Sequence, residues 1–302
     1  MSFRGVLVPV ATPFTNGLAP DKGKFIALCK AFLEQGAAGL AIFGTTSEAN
    51  SISGDERMRL LEQLVASGVP AEKLMPGTGG CSITEAVVLT RHAVRQGCGG
   101  VLLLPPFFYK GVSDDGIFAF VERIIQDVSE DGLKIYLYHI PPMAQVGFSV
   151  ELVGRLHGAY PDTVVGLKDS SGDWSNTEAL IKAYPQMEIF PGSEIFLLDA
   201  LRTGGAGCIT ATANLNARMI SASYKCWQEP GADARQQTIT KIRKAVQTIG
   251  PLVPVIKSYL ALKTGDPGWS VVRPPLIAMP EDVVVELDKE LTGLGYEFPG
   301  VT

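Results

Sequence analysis

Short runs of apolar, largely β-branched residues recur along the chain about every 30 residues, each followed by turn residues and a longer stretch of helical periodicity. Eight such runs stand at residues 6–11, 39–44, 74–77, 100–104, 135–139, 164–168, 188–190 and 207–211. Runs such as Val101-Leu102-Leu103-Leu104 are apolar at every position, which suits strands buried on both faces of a parallel sheet. Eight parallel strands are also the number that closes a barrel. Ser53 with Glu56, Ser82 with Glu85 and Ser175 with Glu178 are each spaced as a capping box at the start of an intervening helix. A doubly wound sheet would bury the same runs, but no G-x-G-x-x-G follows the first strand. Gly77-Thr78-Gly79-Gly80 lacks that spacing, and Gly204-Gly205-Ala206-Gly207 reads as a tight turn into the last strand. Helical periodicity continues at 241–247 and 254–262. The pattern predicts a (β/α)8 TIM barrel over residues 1–225 and a C-terminal helical extension of the same domain over 226–302.

Composition narrows what such a barrel acts on. The chain has 302 residues, 46% hydrophobic and 19% charged, enough to build one large core. A net charge of −5 argues against nucleic acid, whose binding depends on clustered Lys and Arg. Five scattered cysteines without a C-x-x-C pair indicate neither a disulfide framework nor a zinc site, and fit the reducing cytoplasm. The N-terminal apolar run is short and broken by Pro9 and Pro13, and no segment approaches the roughly 20 apolar residues of a membrane span. A cytoplasmic protein that takes small molecules is expected.

In a barrel of this kind the chemistry sits at the C-terminal ends of the strands and in the loops beyond them. Lys168 ends the sixth run and precedes Asp169-Ser170-Ser171-Gly172, which places an amine at the mouth, where burial favours the uncharged nucleophile; a lysine snorkelling to solvent is the plain alternative. Gly44-Thr45-Thr46-Ser47-Glu48 follows the second run, and a glycine turn with exposed N–H groups beside two hydroxyls is a cradle for a carboxylate, or simply a helix cap. Tyr138 ends the fifth run and is placed to move protons, or to bond a carbonyl. Of three histidines, only His139 lies at a strand's C-terminal end; His92 and His157 belong to helical segments, and one histidine builds no metal site. No G-x-S-x-G elbow is present. Phe107-Phe108-Tyr109 after the fourth run reads as packing.

Six segments in register resemble the dihydrodipicolinate synthase and N-acetylneuraminate lyase family. They are Ala11-Thr12-Pro13-Phe14, Gly44-Thr45-Thr46-Ser47-Glu48, Tyr138-His139-Ile140-Pro141, Gly166-Leu167-Lys168-Asp169, Gly192-Ser193, and the stretch 204–214. The resemblance implies a class I aldolase or lyase acting on pyruvate or a 2-oxo-3-deoxy sugar acid through a Schiff base on Lys168. By the same resemblance Tyr138 shuttles protons, Thr45 relays them, and Thr46 with its neighbouring N–H groups, Gly44 included, grips the 2-oxo acid carboxylate. Gly192 and Ile209 match backbone positions lining that pocket. No cofactor or metal is implied, and the assembly is a homotetramer built from tight dimers.

Two departures bear on the second substrate. Where the synthases carry an arginine two residues beyond their Y-N-x-P motif, this chain has Met143, and the motif itself has His139 for asparagine. A methionine offers no bidentate clamp, so condensation with aspartate semialdehyde would need a different carboxylate anchor. Where the family places a tyrosine that enters the neighbouring subunit's site stands Phe108, with Tyr109 adjacent to take over the role. Pocket positions facing the second substrate are then Met143 and His139. A non-catalytic 2-oxo acid binding protein is the remaining alternative.

Overall fold

The computed structural model describes residues 2–301. Seven strands are regular: β1 (Gly5–Val8), β2 (Gly39–Leu40), β3 (Val101–Leu103), β4 (Ile135–His139), β5 (Val164–Asp169), β6 (Glu188–Pro191) and β7 (Gly207–Ile209). All pair in parallel, in the orders β2-β1-β7 and β3-β4-β5-β6. The third run, 74–77, is not a regular strand. It joins β2 and β3 through single bridges, Leu40 with Leu74 and Gly77 with Leu102, and its Pro76 has no N–H for a ladder. On the opposite seam Ala206 N donates to Ile189 O at 3.0 Å and Gly5 N to Ala206 O at 2.8 Å. Eight staves thus close into the TIM barrel, and Lys168 lies on the sixth, β5.

That last seam depends on glycine. Gly207 has φ +146°, and a Cβ there would fall 1.8 Å from the Gly5 carbonyl oxygen. The predicted runs 6–11, 39–44 and 207–211 are regular only to Val8, Leu40 and Ile209; beyond them Pro9 and the left-handed Phe43 (φ +57°) turn the chain into the mouth.

The barrel interior is filled by Leu7, Met75, Leu102, Tyr136 and Phe190, all essentially inaccessible. Truncating any of the aliphatic ones would cost about 2–5 kcal/mol. Helix starts follow the capping signals in two of three cases. Ser53 and Glu56 form the reciprocal box of helix Gly54–Ala66, and Ser82 accepts from Glu85 N. Ser175 is not a cap: Asp173 accepts from Ser175 N at 2.9 Å and starts helix Trp174–Ala183, a carboxylate being favoured at the positive end of the helix dipole.

Beyond the barrel helix Ala213–Lys225, helices Ala232–Ile249, Leu252–Thr264 and Glu281–Gly293 pack on the same core, with Ile239, Val246, Tyr259 and Leu287 buried in one cluster with Leu28 and Leu167. The first two meet at 104°, folding over the mouth. No single helix among the described residues is long and apolar enough to cross a membrane.

Candidate active site

The C-terminal ends of the staves open into a cleft of about 730 Å³. Tyr138 on β4 and Lys168 on β5 are register partners, so their side chains emerge side by side, with Lys168 Nζ 4.3 Å from the centroid of the Tyr138 ring. Lys168 is buried, 5% exposed. Tyr138 Oη lies 3.2 Å from Thr45 Oγ1. Three residues drawn from separate βα units therefore form one constellation of an amine, a phenol and a hydroxyl, all lining the cleft.

The Thr45 loop is held rigidly from below. Ser47 N and Ala49 N turn back to Gly44 O at 3.1 and 3.2 Å, Ser47 Oγ donates to Val10 O at 2.5 Å, and Thr12 Oγ1 donates to Ser47 O at 2.9 Å. Among the described residues the N–H groups of Gly44, Thr45 and Thr46 meet no protein acceptor, the disposition an anion-binding turn requires. Gly77 lets this loop descend: a Cβ there would lie 2.1 Å from the Phe43 carbonyl oxygen.

Glu48, at φ +56°, closes the loop with a buried ion pair. Its Oε1 accepts from Lys257 Nζ at 2.7 Å and its Oε2 from Arg273 N at 3.0 Å. Burial pushes the Lys257 ammonium down to about 8, against the pull of the Glu48 carboxylate. The Arg273 guanidinium bonds Leu18 O, Ser51 O and the Glu56 carboxylate, and stacks on Phe14 at 4.7 Å. Glu56 is held at about 2 chiefly by those Arg273 hydrogen bonds.

Of the other residues expected here, Thr46, Gly192 and Met143 line the cleft. Gly192 N donates to Asp169 O at 2.6 Å, and a Cβ on Gly192 would strike Ser170 Oγ at 2.1 Å. Met143 stands at the lip, 67% exposed. Ile209 is buried below the cleft in the barrel interior. His139 is turned elsewhere, because successive residues on β4 face opposite sides and Tyr138 takes the inner one. It lines a separate cleft with Asp114, Ser149 and Asn176, and its Nδ1 accepts from Phe148 N at 2.9 Å. Burial lowers its pKa below the usual imidazole value and keeps it neutral. Phe108 and Tyr109 project into solvent, 73% and 74% exposed, edge to face at 5.4 Å, and neither reaches the cleft of its own chain.

Sequence reasoning missed Gln247 and Arg243, which also line the cleft, and named Ser193 beside Gly192 without giving it a place there. Arg243 lies on helix Ala232–Ile249 within the buried stripe of Ile239, Ile242 and Val246, and a basic residue at an apolar position of a periodic helix was the available signal. Lys134 precedes β4 at the opposite end of the barrel and bonds Asp162 O there. Among the described residues no group of three or more His, Cys, Asp or Glu is arranged to hold a metal ion.

Comparison with known proteins follows the same lines. The model of the dihydrodipicolinate synthetase family matches residues 2–293. An uncharacterised DapA-like lyase of Chloroflexus aurantiacus is 32% identical over 286 residues, covering 94% of each chain. The crystal structure of dihydrodipicolinate synthase from Agrobacterium tumefaciens superposes with a TM-score of 0.88 at 32% identity, over 96% of this chain and 99% of that one. A prophage protein of the same family from E. coli K12, solved in complex with pyruvate, gives a TM-score of 0.87 at 26% identity over 98% and 99%. The chain belongs to the dihydrodipicolinate synthetase family and is a lyase built on that family's barrel.

Proposed function

We propose that Lys168 forms a Schiff base with pyruvate or a related 2-oxo acid. The amine adds to the C2 carbonyl, the carbinolamine loses water, and the resulting iminium draws electrons from C3. Loss of a C3 proton, or cleavage of the C3–C4 bond of a longer substrate, gives the enamine. The enamine carbon then attacks an aldehyde or recovers a proton, or the enamine's electron pair expels a C4 hydroxyl, which takes up a proton and leaves as water. No cofactor is needed, because the iminium is the electron sink.

The observation that carries this reading is the constellation itself: Lys168 Nζ over the Tyr138 ring, with Tyr138 Oη 3.2 Å from Thr45 Oγ1. Tyr138 delivers and removes the protons of carbinolamine dehydration, and Thr45 passes them on. The unbonded N–H groups at Gly44, Thr45 and Thr46 receive the 2-oxo acid carboxylate, and the Gly192 backbone borders the same space. Ile209 contributes from beneath. Pyruvate bound to the E. coli relative supports the substrate class. Exposed Phe108 and Tyr109 support a homotetramer of tight dimers in which Tyr109 enters the partner's site, and unpaired cysteines support a cytoplasmic setting.

The test is reductive trapping. Incubation with pyruvate and borohydride should add one reduced pyruvate to each chain, seen by intact mass, and Lys168→Ala should abolish it. An unmodified wild-type chain would sink the mechanism.

A further inference from the structure

The cleft contains a second cationic group besides Lys168. Arg243 reaches it from helix Ala232–Ile249, outside the barrel, with a side chain only 9% exposed. Its Nε donates to Gln247 Oε1 at 3.2 Å, and its Nη1 to Thr210 Oγ1 and Thr212 Oγ1 at 3.3 and 3.4 Å. Glu194, fully inaccessible, accepts both threonine hydroxyls and stands 3.7 Å from Arg243 Nη1. Its carboxylate thus anchors the guanidinium from behind without entering the cleft lining. Among the described residues Nη2 has no protein acceptor.

The acids nearby do not compete for that donor. Glu48 is spent on Lys257 and Arg273 N, and Asp169 on Ser171 N, Asn176 and Thr177. Lys168 and Arg243 are the only Lys, Arg or His side chains lining the cleft, among the described residues, and the lining is largely apolar, with Ile140, Phe196, Leu252 and Leu276. Met143 brings no charge.

We infer that Arg243 binds a second carboxylate, so that this cleft takes dianionic 2-oxo acids or condensation products: one carboxylate on the Thr45–Thr46 loop, the other on the guanidinium, joined by a short and mostly apolar spacer. With Nε on Gln247 and Nη1 on the two threonines, the guanidinium is fixed in orientation and Nη2 remains as a charged donor for a carboxylate oxygen, a charge-assisted hydrogen bond. The inference rests on the Schiff-base reading only for what happens at the C2 carbonyl.

Affinity for a diacid relative to its monoacid tests it. In Lys168→Ala protein, which can form no adduct, calorimetry would compare 2-oxoglutarate, 2-oxoadipate and 2-oxopimelate, each with the 2-oxo monoacid of equal carbon number. At least one diacid should bind about ten-fold tighter than its monoacid, as expected of a charge-assisted hydrogen bond. That ratio should fall to near one when Arg243→Gln is added together with Glu194→Gln, which leaves no buried charge unpaired, and Arg243→Lys should keep part of it. A ratio near one throughout the Lys168→Ala series, or a diacid preference that survives loss of the guanidinium, overturns the assignment. Because the ratio needs neither turnover nor adduct, failure of borohydride trapping in the wild type would count against Lys168 and leave Arg243 to be decided here.

Discussion

At the scale of single residues the site divides by how each group was positioned. Lys168 and Tyr138 were legible because both end apolar strand runs, and the barrel puts every such end at the mouth. His139 ends the same strand as Tyr138, yet alternation sends it into a different cleft. The alternation was visible in sequence, but which parity faces inward is a property of the closed barrel. Arg243 was hidden for a different reason: its helix reaches the mouth only through tertiary packing. The phenol at Tyr138 carries a distinct prediction. Tyr138→Phe keeps the ring under Lys168 but removes the hydroxyl bonded to Thr45, so kcat should drop by about a hundred-fold, the usual worth of a positioned proton donor. The pyruvate adduct should still form on prolonged incubation with borohydride. Equal activity of Tyr138→Phe and wild type would remove the phenol from the mechanism.

At the scale of elements, the loop at 44–48 depends on the C-terminal segment as much as on its own strand. Arg273 bonds the Leu18 turn, Ser51 and Glu56 at once, and its backbone N–H fixes Glu48. The strand-helix alternation foretold the loop's place, but the strap came from residues with no periodic signal, separated by more than two hundred positions from the groups they bind. The same holds for 74–77, where an apolar run promised a strand and Pro76 allowed only bridges. The strap has a pH signature. Glu56, ordinarily near 4.5, is held at about 2 in the folded chain, so its contribution is full above pH 4.5 and is lost as pH falls towards 2. Urea midpoints measured from pH 7 to pH 2.5 should therefore fall less steeply for Glu56→Gln than for wild type, starting from a lower value at pH 7. Parallel curves would show that the pair adds nothing to stability.

At the scale of the molecule, eight runs of hydrophobic residues were enough to foretell the barrel, since closure follows from strand number and two-sided burial. The seam between the first and last staves was not foretold: Gly207 looked like turn chemistry and is a contact with the Gly5 backbone. Phe108 and Tyr109, side by side and three-quarters exposed, are unusual neighbours on a water-facing loop. If the proposed assembly uses this loop, replacing both by serine should shift sedimentation velocity towards smaller species and lower kcat with it; an unchanged distribution at micromolar concentration would remove the loop from that assembly.

The bend between helices Ala232–Ile249 and Leu252–Thr264 also decides how independently the two halves of the cleft can be altered. The groups proposed to make and serve the covalent bond hang on staves welded into a closed ring, where any change disturbs neighbours on both sides. Arg243, Gln247, Leu252 and Leu276 hang on a tract that merely leans over that ring and is continuous in sequence. Substitutions in that one peripheral stretch should therefore change what the proposed enamine meets while leaving the groups in the ring beneath undisturbed.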